Sequence, residues 1–189
     1  MRRHTTILII AGTFALGGLV SAFALLAPQR SGTSPASLHS PWQEVRWPLP
    51  MDQWGTGKAF HCNAADCGTE VTVYLRAKIG FCNCSDGLIT DDELDRVSDF
   101  DMFGGALYPQ AAGQPLKAAW LKGRSRPFAI RDARGRDATM ISAGLHDSCD
   151  ALVVTAVLTR GALSTAEPAV QIFFDSKTFA DWARTTLGL

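Results

Sequence analysis

The sequence carries no surplus of charge of either sign. Its 189 residues contain 18 Lys and Arg and 18 Asp and Glu, so the formal net charge at neutral pH is zero. Domains that bind the phosphate backbone of nucleic acids are usually strongly basic. The charge balance therefore argues against this class, and we expect no nucleic-acid partner.

The sequence also has none of the short motifs that mark common catalytic sites. It contains no G-x-S-x-G elbow, no phosphate-binding glycine loop, no H-E-x-x-H pair and no haem-attachment or C-x-x-C motif. Their absence excludes the motif-bearing hydrolase, nucleotide-binding, zinc-protease and thioredoxin-type sites.

One catalytic arrangement is left as a candidate, around Cys149. Cys149 with His146 or His61 has the residue types of a nucleophile and its base, which Asp147 or Asp150 would orient. The alternative is a turn whose cysteine lies in the core or bonds another cysteine. We favour this structural alternative, assign no catalytic residue and expect a protein that is not an enzyme.

The N-terminus, residues 1–27, has the features of a membrane-crossing segment. Residues 7–27 carry no charge and follow a short basic leader. As a helix this run is about 31 Å long, which matches the hydrocarbon thickness of a bilayer. It predicts a single-pass anchor in the inner membrane, with the basic leader in the cytoplasm and the C-terminal domain in the periplasm.

A cleavable signal peptide is the alternative interpretation of the same segment. Residues 7–20 are long enough for its apolar region, and Ala22-Phe23-Ala24 has the small-x-small pattern of a cleavage site. The protein would then be secreted into the periplasm. Both interpretations place the rest of the chain outside the cytoplasm.

Residues 28–50 are rich in proline and serine and have no helical or strand periodicity, which predicts a linker. Residues 51–189 are then expected to form one disulfide-stabilised domain. We expect Trp42, Trp47 and Trp54 to pack onto this domain, rather than to form an aromatic belt at the membrane surface.

Local patterns predict an α+β domain with a mainly antiparallel sheet and a C-terminal helix. The strongest helix signal is the capping box of residues 90–93, which predicts a helix beginning there. Helices are also predicted at residues 115–122, where Pro115 would be the first position and Gly123 the stop, and at residues 176–187. Strands are predicted at residues 70–77, 127–131, 138–142, 151–158 and 169–174, with 151–158 as a central strand.

Four of the five cysteines, Cys62, Cys67, Cys82 and Cys84, lie within 23 residues. Behind an export segment they are expected to form disulfides. If Cys82 and Cys84 lie on one strand, they point to the same face about 6.7 Å apart, which disfavours a bond between them. Bridges from this pair to Cys62 and Cys67 fit better. Cys149 is then a possible free thiol, or it replaces one member of the cluster.

The same four cysteines also define an alternative site for a metal or for thiol exchange. Soft thiolates favour copper(I), and Cys82-x-Cys84 would hold it with help from Cys62, Cys67 and His61. An oxidising compartment and the C-x-C spacing disfavour zinc. We therefore expect no metal and no cofactor, and keep copper binding or thiol redox chemistry as the alternative function.

Two segments of opposite charge are candidates for contact with a protein partner. Residues 86–101 are acidic and residues 117–136 are basic. They offer a dipolar docking surface, form two solvated faces, or partly neutralise each other within the fold. The sequence thus predicts a membrane-anchored periplasmic domain that binds a partner, as an accessory subunit of a membrane complex.

Overall fold

The computed structural model describes residues 40–81, 88, 90–104, 106–131 and 137–189. The predicted anchor or signal peptide at residues 1–27, most of the predicted linker, and Cys82 and Cys84 lie outside these residues. Among the described residues, no helix has the length and apolar character needed to cross a membrane.

The described residues contain eight strands, which form one antiparallel sheet in the order β1-β2-β3-β8-β7-β6-β4, with β5 pairing beside β4 on the long strand β6. The strands are β1 (Gln43–Val45), β2 (Lys58–Cys62), β3 (Glu70–Lys78), β4 (Ala106–Pro109), β5 (Gln114–Ala118), β6 (Leu121–Arg131), β7 (Asp137–Asp147) and β8 (Asp150–Arg160). The predicted α+β class with an antiparallel sheet is confirmed.

Strand β8 lies in the middle of the sheet and is buried on both faces. Leu152 and Val154 point into one hydrophobic core, and Ala151 and Val153 point into a second core on the opposite face. This two-sided burial explains the nearly continuous apolar run of the strand. The central position predicted for residues 151–158 is confirmed.

The described residues contain four α-helices: α1 (Ala64–Cys67), α2 (Asp91–Val97), α3 (Leu163–Phe174) and α4 (Lys177–Leu187). The two C-terminal helices, α3 and α4, cover one face of the sheet. Phe173 is fully buried at the centre of this core. Its ring centroid is 4.8 Å from that of Trp42 and 5.3 Å from that of Phe60. The predicted C-terminal helix is confirmed as α4, with Ser176 as its N-cap.

Helix α2 covers the other face. It begins with the predicted capping box: Glu93 N–H donates to the hydroxyl of Thr90, and Thr90 N–H donates to the carboxylate of Glu93. Leu94 and Val97 of this helix are buried in the second core. A 3-10 turn at Phe100–Met102 follows. Asp99, directly before this turn, contacts Arg76 and Lys78 of β3.

The helix predicted at residues 115–122 is wrong. Residues 114–118 form β5, and Ala119 has a φ of 52° in the turn that leads into β6. Leu116 and Ala118 are the less exposed members of an alternating pattern, which fits a strand. The proline and glycine that resemble helix signals here belong to a hairpin.

The strand predicted at residues 169–174 is also wrong, because these residues are the second half of α3. Its buried positions have the i, i+3, i+4, i+7, i+8 spacing of one helix face: Ala166, Ala169, Val170, Phe173 and Phe174. The predicted segment, residues 169–174, does not include Ala166, the first buried residue of this face, which lies before Pro168. The proline is accommodated within the helix, where it removes one backbone hydrogen bond.

The folded unit begins before residue 51. Residues 43–45, part of the expected linker, form β1 and pair with residues 59–61 of β2. Trp42 is buried beside α3, and Trp47 packs edge-on against Tyr74 at 5.9 Å between ring centroids. These aromatic side chains pack onto the domain, as expected.

Candidate functional site

Cys62 and Cys67 are bonded to each other, with Cα atoms 6.0 Å apart. The expected cross-bridges from these two residues to Cys82 and Cys84 are therefore wrong. Asn63 explains the short-range pairing, because its side-chain oxygen accepts hydrogen bonds from the amides of Ala65 and Asp66 and caps α1. The cap turns the chain directly after Cys62 and brings Cys67 back to it.

Cys149 is also disulfide-bonded, and so the expectation of a free thiol at this position is wrong. Its bond does not involve Cys62 or Cys67. Cys149 lies in the tight β7–β8 turn, where Ser148 has a φ of 53° and Asp147 pairs with Asp150. A bonded sulfur is not a nucleophile, which removes the basis of the candidate catalytic arrangement.

The alternative metal site is not assembled by the residues described. Adjacent strand residues point to opposite faces, so His61 points away from Cys62, and its Nδ1 lies 3.1 Å from the hydroxyl of Thr72. No described group of three or more His, Cys, Asp or Glu is arranged to hold a metal. Copper binding or thiol exchange at Cys62 and Cys67 would require reduction of their bond first.

The acidic and basic segments contact each other within the fold. Asp91 of α2 pairs with Arg124 of β6, and Arg126 Nη1 lies 2.8 Å from Asp95 Oδ2. The amide of Gly113 donates to Asp91 at 3.1 Å. These charges fasten α2 to the sheet. A docking role for segments 86–101 and 117–136 stays a prediction. Docking would have to use the charged side chains of these segments that do not take part in this contact.

The pKa values of the two carboxylates in this contact, Asp91 and Asp95, are shifted in opposite directions. The hydrogen bond from Arg124, with that from the Gly113 amide, holds the pKa of Asp91 below its ordinary value. Burial raises the pKa of Asp95, assisted by the charges of Asp91 and the neighbouring Asp92, and Arg126 only partly offsets this.

A second ionic cluster is buried between β3 and the segment that follows α2. The side chains of Arg76, Lys78 and Asp99 are only 3%, 7% and 6% exposed. Arg76 Nε donates to Asp99 Oδ2 at 3.0 Å and Nη2 donates to Oδ1. Lys78 Nζ lies 2.9 Å from Asp99 Oδ1 and donates to the carbonyl of Val97 at 2.6 Å.

Asp52 approaches this cluster from an exposed turn. Its Oδ1 accepts the amide of Trp54 at 2.8 Å and lies 2.7 Å from Arg76 Nη1. The second contact does not have hydrogen-bond geometry, and Nη1 makes no hydrogen bond to any described residue. The Asp52 side chain is 40% exposed, so it forms the outer edge of the cluster.

The pKa values of these two partners follow from the same contacts. Burial alone would lower the pKa of Arg76, but the carboxylates of Asp99 and Asp52 raise it above its ordinary value. Partial burial would likewise raise the pKa of Asp52, but the Trp54 amide and Arg76 outweigh it and lower the pKa. Both side chains are therefore held in their charged forms.

A cleft of about 220 Å³ opens above the cluster. Trp54 and Phe81 form an aromatic wall, with their ring centroids 5.4 Å apart and nearly perpendicular planes. Lys78 Nζ lies 5.5 Å from the Phe81 centroid. The remaining lining residues are Gln53, Arg96, Ser98, Asp101 and Met102, with Asp52, Arg76, Lys78 and Asp99 of the cluster.

The described residues also line a cleft of about 490 Å³ beside β4 and a groove of about 280 Å³ between α3 and β5. The first is bordered by the exposed ion pair of Arg131 and Asp137. The second has the buried side chains of Ile141 and Phe174 among its lining residues. The cleft above Arg76 has fixed, buried charges at its base, which suits it to bind a polar ligand group.

The sequence did not identify Arg76, Lys78 or Asp99 as site residues. The alternation of β3 assigns Arg76 and Lys78 to the polar face, where solvent exposure is the ordinary outcome. One signal was present: two cations two residues apart share a strand face, and an acidic segment follows. Arg76 and Lys78 lie outside the basic segment of residues 117–136, so the expected neutralisation between charged segments did not include them.

No protein-family model matches the sequence, and no curated protein matches it. Among solved structures, the chain is similar to PA94, a protein of unknown function from Pseudomonas aeruginosa. The TM-score is 0.45 at 14% identity, and the alignment covers 71% of this chain and 94% of that chain. A similarity of this strength assigns neither a family nor a function.

Proposed function

We propose that this chain is a single-pass protein of the inner membrane whose domain, residues 40–189, lies in the periplasm and binds a protein partner as an accessory subunit. The uncharged residues 7–27 serve as the anchor in this proposal. The cleft above Arg76 is the proposed contact region.

The observation that carries the location is the state of the cysteines. Cys62, Cys67 and Cys149 are all disulfide-bonded. Disulfides persist in oxidising compartments and are rare in the cytosol. Bonded cysteines downstream of a predicted export segment therefore support a periplasmic domain.

The binding role is supported by the construction of the cleft. Arg76 and Lys78 are held rigidly by Asp99, and the aromatic wall of Trp54 and Phe81 stands beside them. A concave site with an apolar wall and a few fixed polar groups is the usual form of a binding site. No nucleophile or base is needed for this role.

The location is tested with reporters fused after Leu189. Alkaline phosphatase, which is active only after export, should be active in this fusion, whereas a cytoplasmic fluorescent reporter should stay dark. Deletion of residues 7–27 should reverse both readings. A fluorescent, phosphatase-negative full-length fusion would overturn the proposed location.

The anchor is tested separately from its alternative, the cleaved signal peptide. Membranes are washed with alkaline carbonate, and the intact mass of the retained protein is measured. We expect membrane-bound protein that keeps residues 7–27. A soluble protein shortened to a terminus near Ala24 would show secretion instead.

Partner binding is tested by cross-linking in intact cells. A photo-reactive phenylalanine replaces Trp54 at the cleft, and the matched control replaces Ile172, which is 61% exposed on α3 across the sheet. We expect one protein, identified by mass spectrometry, at position 54 and not at position 172. Identical products at both positions, or none at position 54, would contradict the proposal.

A further inference from the structure

We propose that the cleft above Arg76 receives the C-terminal carboxylate of the partner protein, carried by an apolar last residue. This inference rests on the proposed binding function and specifies the chemistry that the cleft recognises.

The charges beneath the cleft favour an anionic group. Arg76 and Lys78 carry two formal positive charges, and Asp99 supplies one negative charge between them. The buried base of the cleft therefore keeps one formal positive charge. Burial of a charge is costly unless it is paired, so this base requires a further carboxylate.

Asp52 supplies that carboxylate in the structure, but its bonding to Arg76 is poor. The Asp52 oxygen that faces Arg76 already accepts the Trp54 amide, and its 2.7 Å contact to Nη1 is misdirected. Nη1 is buried beneath Asp52, yet its donor capacity is unused by the described residues. An external carboxylate that displaced Asp52 would gain charge-assisted hydrogen bonds that Asp52 does not make.

Displacement of Asp52 would cost little elsewhere. The residue lies in a short exposed turn, in which Gly55 N–H donates to the Asp52 carbonyl at 3.0 Å. A rotation of the Asp52 side chain would leave this backbone bond intact, and the exposed Trp54 amide, which now donates to Asp52 Oδ1 at 2.8 Å, would donate to water instead. Asp52 thus occupies the position of a ligand carboxylate and would compete with it.

The size and walls of the cleft restrict the rest of the ligand. Its volume of about 220 Å³ is below the roughly 300–1,000 Å³ of pockets for drug-sized molecules. It fits the end of one residue rather than an extended ligand. Trp54 and Phe81 offer apolar surface beside the charged base, which suits an apolar group next to the carboxylate.

The probe for the experiment is N-acetylphenylalanine, compared with its C-terminal amide, which lacks only the carboxylate charge. Binding to the purified protein is followed by titration calorimetry and by tryptophan fluorescence. We expect saturable binding of the acid and none of the amide. Inorganic phosphate is the third probe, and equal or tighter binding of phosphate would show a general oxyanion site and overturn the inference.

The variant Asp52→Asn removes the competing charge. It should bind the acid about two- to fivefold more tightly than the wild type, the effect of one partly exposed ion pair. Asp101→Asn removes a carboxylate from the mouth of the same cleft and is the charge-matched control. Equal gains in both variants would show only long-range electrostatics and would contradict displacement of Asp52.

Arg76→Lys keeps the charge and removes the planar fork, so it should weaken binding of the acid at least tenfold. Unchanged binding in this variant would overturn the inference. Should the variant fail to fold, the Asp52→Asn comparison still decides. A captured partner at position 54 without any binding of the acid would refute the inference while leaving the proposed function intact.

Discussion

Asp99 binds Arg76 through both carboxylate oxygens, across 23 residues of sequence and below the surface of the domain. The pair connects strand β3 to the segment that follows α2. Because Lys78 shares the same carboxylate, a single acidic side chain is the main counter-charge of two buried cations. Removal of that side chain should therefore affect the whole domain.

We expect Asp99→Asn to lower the free energy of unfolding by about 3–5 kcal/mol, since it leaves two buried cations without their main counter-charge. The measurement is urea denaturation followed by circular dichroism. Asp52→Asn is the matched control and should lose less than about 1 kcal/mol, because Asp52 is partly exposed. Equal losses would mean that Asp99 is not the central partner.

Elements with a complete local signal could be predicted from the sequence. Helix α2 has its own capping box, and β8 is apolar because both of its faces are covered. Residues 169–174 alone do not indicate helix α3, because its apolar face begins at Ala166. The hairpin at residues 114–123 was missed because its proline and glycine are shared by helix ends and turns.

The candidate site could not be derived in the same way, because it depends on contacts distant in sequence. Arg76 becomes buried only when the segment around Asp99 crosses β3. The prediction of the cysteine pairing was wrong for the opposite reason. The local turn capped by Asn63 brings Cys62 and Cys67 together, whereas the prediction relied on a strand containing Cys82 and Cys84.

The bonded cysteines predict a defined labelling pattern. The unreduced protein is alkylated and digested with trypsin, and mass spectrometry identifies the labelled peptides. Residues 59–76 contain Cys62 and Cys67, and residues 137–160 contain Cys149. Neither peptide should carry label before reduction, and both should be labelled after it. Label on residues 137–160 in the folded, unreduced protein would contradict the disulfide at Cys149.

The close approach of β6 to β7 predicts an intolerant glycine. A Cβ at Gly123 would lie 1.8 Å from the carbonyl oxygen of Gly144, a backbone atom that moves only with its strand. Gly123→Ala should therefore lower the free energy of unfolding by about 3 kcal/mol or more. Gly188→Ala is the control: its φ is 73°, but no described atom lies within 4 Å of the added carbon. It should lose only about 1–2 kcal/mol, and similar losses at both positions would contradict the strand contact.

The opposite pKa shifts of Asp91 and Asp95 predict opposite effects of their amide variants. The pKa of Asp91 is lowered in the folded state, so the charged carboxylate stabilises the fold at pH values above its ordinary pKa of 3.8. This stabilisation is lost as the pH falls through the folded-state pKa. Asp91→Asn should therefore destabilise the protein at pH 7, by up to about 1 kcal/mol. The difference from the wild type should shrink below pH 4.

The pKa of Asp95 is raised, so the folded state favours its protonated form. The resulting stability is present below pH 3.8 and is lost as the pH rises through the folded pKa. Asp95→Asn mimics the protonated form and should leave the stability at pH 7 equal to or above that of the wild type. Urea denaturation of both variants between pH 3 and pH 7 measures the two trends. Parallel losses at pH 7 would show that Arg126 stabilises the Asp95 charge more than burial destabilises it.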